Sequence, residues 1–405
     1  MRNLLQRGGM NVVRISLAIV AMGVGVEACG SVPASRAGTQ GSPCSANDGC
    51  IAGLVCASGA CAVAADAGAG PVTYAPSCAP GGAGMTDCGD GSESCCTSPE
   101  VAGGTFYRTY GNDGSGPAGE GDPATVSSFR LDKYEVTVGR FRQFVAALEG
   151  VPGWLPAQGS GKHTHLNGGN GLVDRNNGYA SSGYEEGWDT NDNDSLASYE
   201  DAWDLADNVD TLDANLTCGG SPYATWTASP GSHEKLPMNC VNWFDAYAFC
   251  AWDGGFLPSE AEWEYAAAGG SEQREYPWGS APPGTANQYA IYDCQYPSGS
   301  GACSDVSNIA PVGTAALGAG RWGQLDLAGN VYEWNLDYWD QWYANPCTDC
   351  ADLTWSTSPT VFMVRVARGS SFIRIPPSLL TPPNHTYATE ADRSEWIGFR
   401  CARTP

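Results

Sequence analysis

Seventeen cysteines are spread from Cys29 to Cys401, a load that a reducing compartment would accept only with a metal or a catalytic role to account for it. The start of the chain removes that need. Arg2, Arg7 and Arg14 precede an apolar run from Ile15 to Val26 that ends in Glu27-Ala28-Cys29-Gly30. This is the pattern of an export signal over residues 1–28, with an apolar part too short for a transmembrane helix. The cysteines are therefore expected to pair as disulfides in an oxidising compartment, in a fold stapled at many points.

Ala28 before Cys29 and Gly30 after it are similar to a bacterial lipobox, with Cys29 as the lipidated residue; Glu27 departs from the small or apolar residue usual there. The expected location is an outer-membrane or cell-surface lipoprotein, with a periplasmic or secreted protein as the alternative. Residues 29–43 are small and polar, a flexible tether. Cys44, Cys50, Cys56 and Cys61 then form a small module over 44–61 with too little apolar mass for a core, stabilised by two disulfides or, alternatively, by zinc. Residues 62–100 read as a linker carrying a second cluster, Cys78, Cys88, Cys95 and Cys96.

From residue 101 to 405 the chain reads as one domain. Its 42% hydrophobic residues are enough for a core, while 53 Gly and 26 Pro favour short elements and many turns. The net charge of −24 repels phosphate backbones and anionic headgroups, so nucleic acid is not an expected partner, and membrane contact is expected only through the lipid anchor. Acidity also suits bound Ca²⁺. Asp189, Asn191, Asn193 and Glu200 have the spacing of a calcium loop, but Asp194 stands where such a loop needs Gly, and a solvated acidic surface is the competing reading.

Local patterns place several elements. Gly103 to Phe106 reads as an opening strand, and Ser128 to Val136 alternates like one. Thr137 N-caps a helix in which Val138, Phe141, Phe144, Val145 and Leu148 share a face. Leu236 to Trp243 reads as a strand, followed by a helix from Phe244 to Trp252 with Phe244, Tyr247, Ala248 and Cys250 inward. Ser259 and Glu262 form a capping box, which makes Glu260 and Glu262 capping and dipole residues rather than catalytic acids. The stretch Gly320 to Trp334 is the densest in site-like chemistry, with Asp326 and Glu333 around a Gly329-Asn330 turn and Tyr332 and Trp334 at its end.

Seven blocks fall in one order: Gly-Gly-Thr-Phe106, Tyr134-Glu-Val-Thr137, Val241-Asn-Trp-Phe-Asp-Ala246, Leu257-Pro-Ser-Glu-Ala-Glu-Trp-Glu-Tyr265, Tyr276-Pro-Trp-Gly279, Leu327-Ala-Gly-Asn-Val-Tyr-Glu-Trp334 and Gly398-Phe-Arg-Cys401. Together they resemble the formylglycine-generating enzyme family, the sulfatase-modifying factors. The resemblance implies an α+β, irregular, loop-rich C-type-lectin-like fold, here preceded by a small disulfide-rich region. It implies a Ca²⁺ site at Asp326, Glu333 and the backbone oxygens of Gly329 and Val331, and a second at Asn287 and Asp305, where the segment from Cys294 to Cys303 disturbs the register. It also implies a disulfide between Cys250 and Cys401. Cys218 with Cys240, Cys294 with Cys303 and Cys347 with Cys350 are then left as neighbouring pairs, the last of which reads as a structural staple or a redox pair.

Active members of the family hold Cu(I) on two cysteines five residues apart after a Gly-Gly-Ser-Tyr-like strand, because soft thiolates select Cu(I). Here the strand is Arg368-Gly-Ser-Ser-Phe372, the expected positions fall at about Arg374 and Leu379, and no cysteine lies between Cys350 and Cys401. A copper cofactor is not expected. Another branch of the fold holds iron on three histidines. His163, His165, His233 and His385 each lie in a polar stretch with no His-x-x-x-His spacing, and read as solvated. The expectation is a calcium-stabilised pseudoenzyme that binds a peptide, protein or glycan at a groove near Ser371, Arg374 and Tyr332. The alternative is an active formylglycine-generating oxidase, or another enzyme using the same pocket.

Overall fold

A computed structural model describes residues 54–57, 60–63, 75–148, 154–175, 183–189, 214–299, 301–343, 345–354, 364–373 and 375–405. The export signal, Cys29, the tether, most of the 44–61 module, most of the Asp189–Glu200 loop and Arg374 lie outside the described residues. Within the module, β1 (Leu54–Ala57) and β2 (Ala60–Val63) form an antiparallel hairpin that sets Cys56 opposite Cys61.

The main body begins before residue 101. Cys78 is bonded to Cys96 and Cys88 to Cys95, and the segment is anchored by Ser77, whose N–H donates to Asp253 at 2.9 Å and whose hydroxyl accepts from Arg140 at 2.9 Å. The boundary of the expected linker therefore moves back to about residue 75. Arg140 needs partners in the interior, and this segment supplies two, the Ser77 hydroxyl and the Cys95 carbonyl, that the alternation of apolar residues did not signal.

β3 (Glu100–Val101) joins β6 (Phe129–Leu131) and β14 (Ala402–Arg403) in an antiparallel sheet that ties the start of the domain to its end. β4 (Gly104–Asn112) and β5 (Pro117–Val126) form a long hairpin, with β9 (Cys347–Thr348) parallel to β5, and β7 (Val173–Asp174) pairs in parallel with β10 (Cys350–Ala351). The opening strand is thus as expected, whereas only Phe129–Leu131 of the Ser128 to Val136 run is strand.

α1 (Val138–Leu148) begins where the Thr137 hydroxyl accepts the N–H of Arg140. α2 (Trp243–Trp252) is started by a capping box between Asn242 and Asp245, and α3 (Glu260–Ala268) by the expected one between Ser259 and Glu262. α1 and α2 meet through Phe141, Phe144 and Phe249, with the rings of Phe141 and Phe249 stacked at 5.7 Å and Phe399 edge-on to Phe249 at 5.4 Å. Each such ring, wholly removed from water, stabilises the fold by roughly 1.5–3 kcal/mol. Tyr247, Ala248 and Cys250 face inward as the pattern predicts; Phe244 is half-buried.

Leu236 to Trp243 is not a strand. A single bridge joins Pro237 to Thr137, and side chains replace a ladder: Asn239 accepts from Thr225 N at 2.9 Å and donates to the carbonyls of Tyr223 and Glu395. The central sheet runs in the order β12 (His385–Thr389), β11 (Val364–Arg368), β8 (Tyr332–Tyr338), β13 (Ile397–Gly398), antiparallel except for the last pair. The 2.05 Å Cys250–Cys401 disulfide links α2 to the C-terminal segment, and Cys218–Cys240, Cys294–Cys303 and Cys347–Cys350 also close. The six disulfides among the described residues fit a protein folded in an oxidising compartment.

Candidate functional site

The Gly320–Trp334 stretch delivers its acidic residues to the interior. Asp326, Gly329 and Asn330 have φ of 60°, 90° and 61°, which turns the chain sharply before β8. A Cβ on Gly329 would stand 2.4 Å from the carbonyl oxygen of Ile291, so only glycine fits. Asn330 accepts from Ala310 N at 3.1 Å and donates to Glu135 at 2.7 Å, while the N–H of Val331 donates to the other oxygen of Glu135 at 3.1 Å. Glu333, one residue into β8, accepts from Trp263 Nε1 at 2.8 Å and from Arg400 Nε and Nη2 at 2.6 and 2.7 Å. Asp326 accepts from Gly313 N at 2.6 Å.

Three buried carboxylates, Glu135, Asp326 and Glu333, therefore share one guanidinium, that of Arg400. Burial, reinforced by Asp326 and Glu333, holds the Glu135 carboxyl well above the usual carboxylate range. Burial likewise pushes Asp326 up to about 6, against the Gly313 hydrogen bond that pulls it down. The donor chemistry suits Ca²⁺, which takes hard oxygen, and a divalent ion would offset the surplus negative charge. Glu333 presents both oxygens to Arg400, so an ion there would share that carboxylate with the guanidinium. Among the described residues no three of His, Cys, Asp and Glu stand together as a ready metal site. Backbone oxygens would have to complete the shell. Sequence reading missed Glu135, although it sits inside one of the seven blocks.

The second expected pair is placed differently. The Asn287 amide donates to Gln295 O at 3.3 Å and its oxygen is buried without a hydrogen-bond partner among the described residues, whereas Asp305 caps a short helical turn by accepting from Ser307 N at 2.9 Å. The segment closed by Cys294–Cys303 takes up Asn287, and Asp305 turns back on its own chain.

β11 leads to the position where the family's copper thiolates would stand. Ser370 and Ser371 follow it, both wholly buried, with hydroxyls that meet no hydrogen-bond partner among the described residues. The N–H of Phe372 donates to Asn330 O at 2.8 Å, which holds the segment under the Gly329-Asn330 turn. Ser371 thus presents no surface to a groove, and the expected grouping of Ser371 with Tyr332 as pocket walls is corrected: Tyr332 is half-buried against the main core. Leu379 ends a short helical turn and packs beside Tyr276 and Ile375. Every cysteine from Cys78 to Cys401 is already in a disulfide, so the residues present do not fit Cu(I).

Residues 91–405 match the Sulfatase-modifying factor enzyme 1-like domain. The chain belongs to this family of sulfatase-modifying factors. Among relatives, the formylglycine-generating enzyme of Thermomonospora curvata is 32% identical over 203 residues, 45% of this chain and 63% of that protein. The inactive C-alpha-formylglycine-generating enzyme 2 of Mus musculus is 29% identical over 305 residues, 72% of this chain and 79% of that protein. The solved structure of PvdO from Pseudomonas aeruginosa aligns with a TM-score of 0.44 and 21% identity, covering 78% of this chain and all of that one.

Within this sulfatase-modifying-factor domain the histidines are not all solvated, which corrects the sequence expectation. His163 is wholly buried, with Nδ1 2.9 Å from Glu185 and Nε2 3.1 Å from Glu262. Burial lowers its pKa, but Glu185 and Glu262 together win and push it up to about 10. The ring nitrogens of His165 are also buried, and burial lowers its pKa. His233 is half-buried against the Thr225 carbonyl at 3.0 Å. His385, on β12, meets Glu260 at 2.7 Å. Glu260 also accepts from Arg368 at 2.7 and 3.1 Å, and although burial raises its pKa, Arg368 and then His385 hold it down to about 2. Glu260 and Glu262 are thus more than capping residues. No local pattern signals this, because their partners come from residues 163, 343, 368 and 385.

Proposed function

We propose that this family member is an exported, lipid-anchored pseudoenzyme whose lectin-like domain binds a peptide, protein or glycan without oxidising a thiol. The observation that carries the reading is the end of β11, where buried Ser370 and Ser371 stand and every cysteine of the domain is held in a disulfide. Thiolates are what make Cu(I) chemistry possible in this fold, and a disulfide sulfur is a poor substitute. A fold retaining its buried scaffold without the reactive pair suits recognition. Ca²⁺ in this reading is held by Asp326 and the backbone oxygens of Gly329 and Val331, with Glu333 shared with Arg400, and serves architecture. Titration of the purified chain with Cu(I) against a competing chelator tests the proposal: no stoichiometric uptake is expected, and one tightly held equivalent would overturn it.

A further inference from the structure

β12 is the outer strand of the central sheet, and its pairing with β11 puts His385 and Tyr387 on one face. Residues 339–343, which follow β8, arch over that face. The N–H of Trp339 donates to Val364 O at 2.9 Å and its ring packs against Tyr387 at 4.5 Å, while the Tyr343 ring lies 5.9 Å from His385. Trp342, next to Tyr343, donates its N–H to Asp340 at 3.0 Å. Trp342 is 66% exposed and Tyr387 52%, the two most exposed Trp, Tyr or Phe rings among the described residues. Both belong to this one patch, which sets them apart from the scattered single apolar residues of an ordinary surface.

Three polar groups accompany the rings. The exposed Gln341 amide and the Tyr387 hydroxyl make no hydrogen bond among the described residues. His385 is pinned through Nδ1, 2.7 Å from the buried carboxylate of Glu260, and its side chain is 28% exposed. In the neutral ring the Nδ1 proton faces Glu260, which leaves Nε2 as an acceptor with no partner among the described residues. None of these groups presents an unmatched charge. Glu260 is paired with Arg368, and Asp340 turns back on the Trp342 N–H. The guanidiniums of Arg108 and Arg368, which flank Tyr343, are buried and offer nothing to a sulfate or uronate.

Open ring faces beside uncharged donors and acceptors suit a ligand that is apolar on one side and hydroxylated at its rim. A neutral pyranose is such a ligand: its C–H face lies on the negative face of an aromatic ring, and its hydroxyls donate to an imidazole nitrogen and exchange bonds with an amide and a phenol. A protein partner would call for a contiguous apolar centre, whereas these rings are interrupted by Gln341 and Asp340. The geometry points to a binding site for a neutral glycan chain, with Trp342, Tyr387 and Trp339 as the stacking platform and His385 and Gln341 as its polar contacts. This site rests on the recognition reading above and gives it a ligand class.

Titration of the full disulfide-bonded chain with cellopentaose, maltopentaose, xylopentaose and chitopentaose, followed by tryptophan fluorescence and calorimetry, tests the site. At least one should bind saturably, and pentagalacturonate should bind about tenfold more weakly than that one. Trp342→Ala and Tyr387→Ala should each weaken binding about tenfold, and Gln341→Ala several-fold. Trp342 lies outside the core, so its variant keeps the test decisive if Tyr387→Ala does not fold. Absence of saturable binding by all four neutral chains, unchanged affinity in Trp342→Ala, or equal binding of pentagalacturonate would overturn the glycan site. Saturable binding of a blocked arginine-containing tripeptide in place of every oligosaccharide would overturn it too, yet would leave the recognition reading standing, since that reading is tested separately by Cu(I) uptake.

Discussion

Arg400 meets Glu333 side-on in the interior, Nε to Oε2 at 2.6 Å and Nη2 to Oε1 at 2.7 Å, with neither side chain exposed. The rest of the guanidinium donates to the carbonyls of Asp132, Lys133 and Leu325 at 3.1, 3.2 and 2.9 Å. Trp263 closes the other side of the carboxylate. One ion pair thus joins the start of the domain, α3, the Gly320–Trp334 stretch and the C-terminal segment.

Removing one partner of this pair leaves an uncompensated charge in the core. Arg400→Met is expected to cost about 3–5 kcal/mol in urea unfolding. The double variant Arg400→Met with Glu333→Leu should lose less than Arg400→Met alone, because Glu333 is then not stranded, while Glu135 and Asp326 lose the shared guanidinium in both variants. A double variant as damaged as the single one would show that the bonds to carbonyls and Trp263, rather than the ion pair, hold this junction.

His163 supplies a pH dependence of defined sign. Its proton is held to about 10 in the folded chain against an ordinary 6.5, so the folded state retains a proton that the unfolded chain releases. The resulting stabilisation is complete below pH 6.5 and is lost as pH rises towards 10. His163→Gln should therefore cost most at about pH 6 and much less at about pH 9, with a difference of a few kcal/mol between them. Equal costs at both would mean that His163 is not protonated between Glu185 and Glu262.

Calcium removal is the third expectation. If Asp326 and the backbone around Gly329 hold Ca²⁺, EDTA should lower the melting temperature by several degrees, and readdition of Ca²⁺ should restore it. Asp326→Asn should abolish the EDTA effect. A melting temperature indifferent to EDTA would remove the ion from the account and leave Arg400 as the counter-charge to these carboxylates among the described residues.

Much of the fold was legible because its signals are local or ordered along the chain. Thr137 before α1, Ser259 with Glu262 before α3, and the seven blocks all declare themselves within a few residues, and the disulfide between Cys250 and Cys401 followed from the family resemblance. What failed was long-range. His163 stands in a polar stretch, yet it is buried because Glu185 and Glu262 reach it from 22 and 99 residues away. Ser371 looked like a groove residue because family reactivity lies nearby, but Phe372 bonding to Asn330 draws that segment inside. Leu236 to Trp243 alternates like a strand, and the side chain of Asn239 takes the bonds a ladder would have made. The aromatic platform on β12 brings Trp339 against Tyr387 from a separate part of the chain, so no spacing announces it.

The claim that matters most is that the family fold persists here without its thiol-oxidising chemistry. The direct measurement is mass spectrometry of a Cys-x-Pro-x-Arg peptide incubated with the purified chain, oxygen and Cu(I). The account predicts that the peptide thiol is recovered unchanged relative to a protein-free control. Turnover of that cysteine to the aldehyde, above the control, would contradict it.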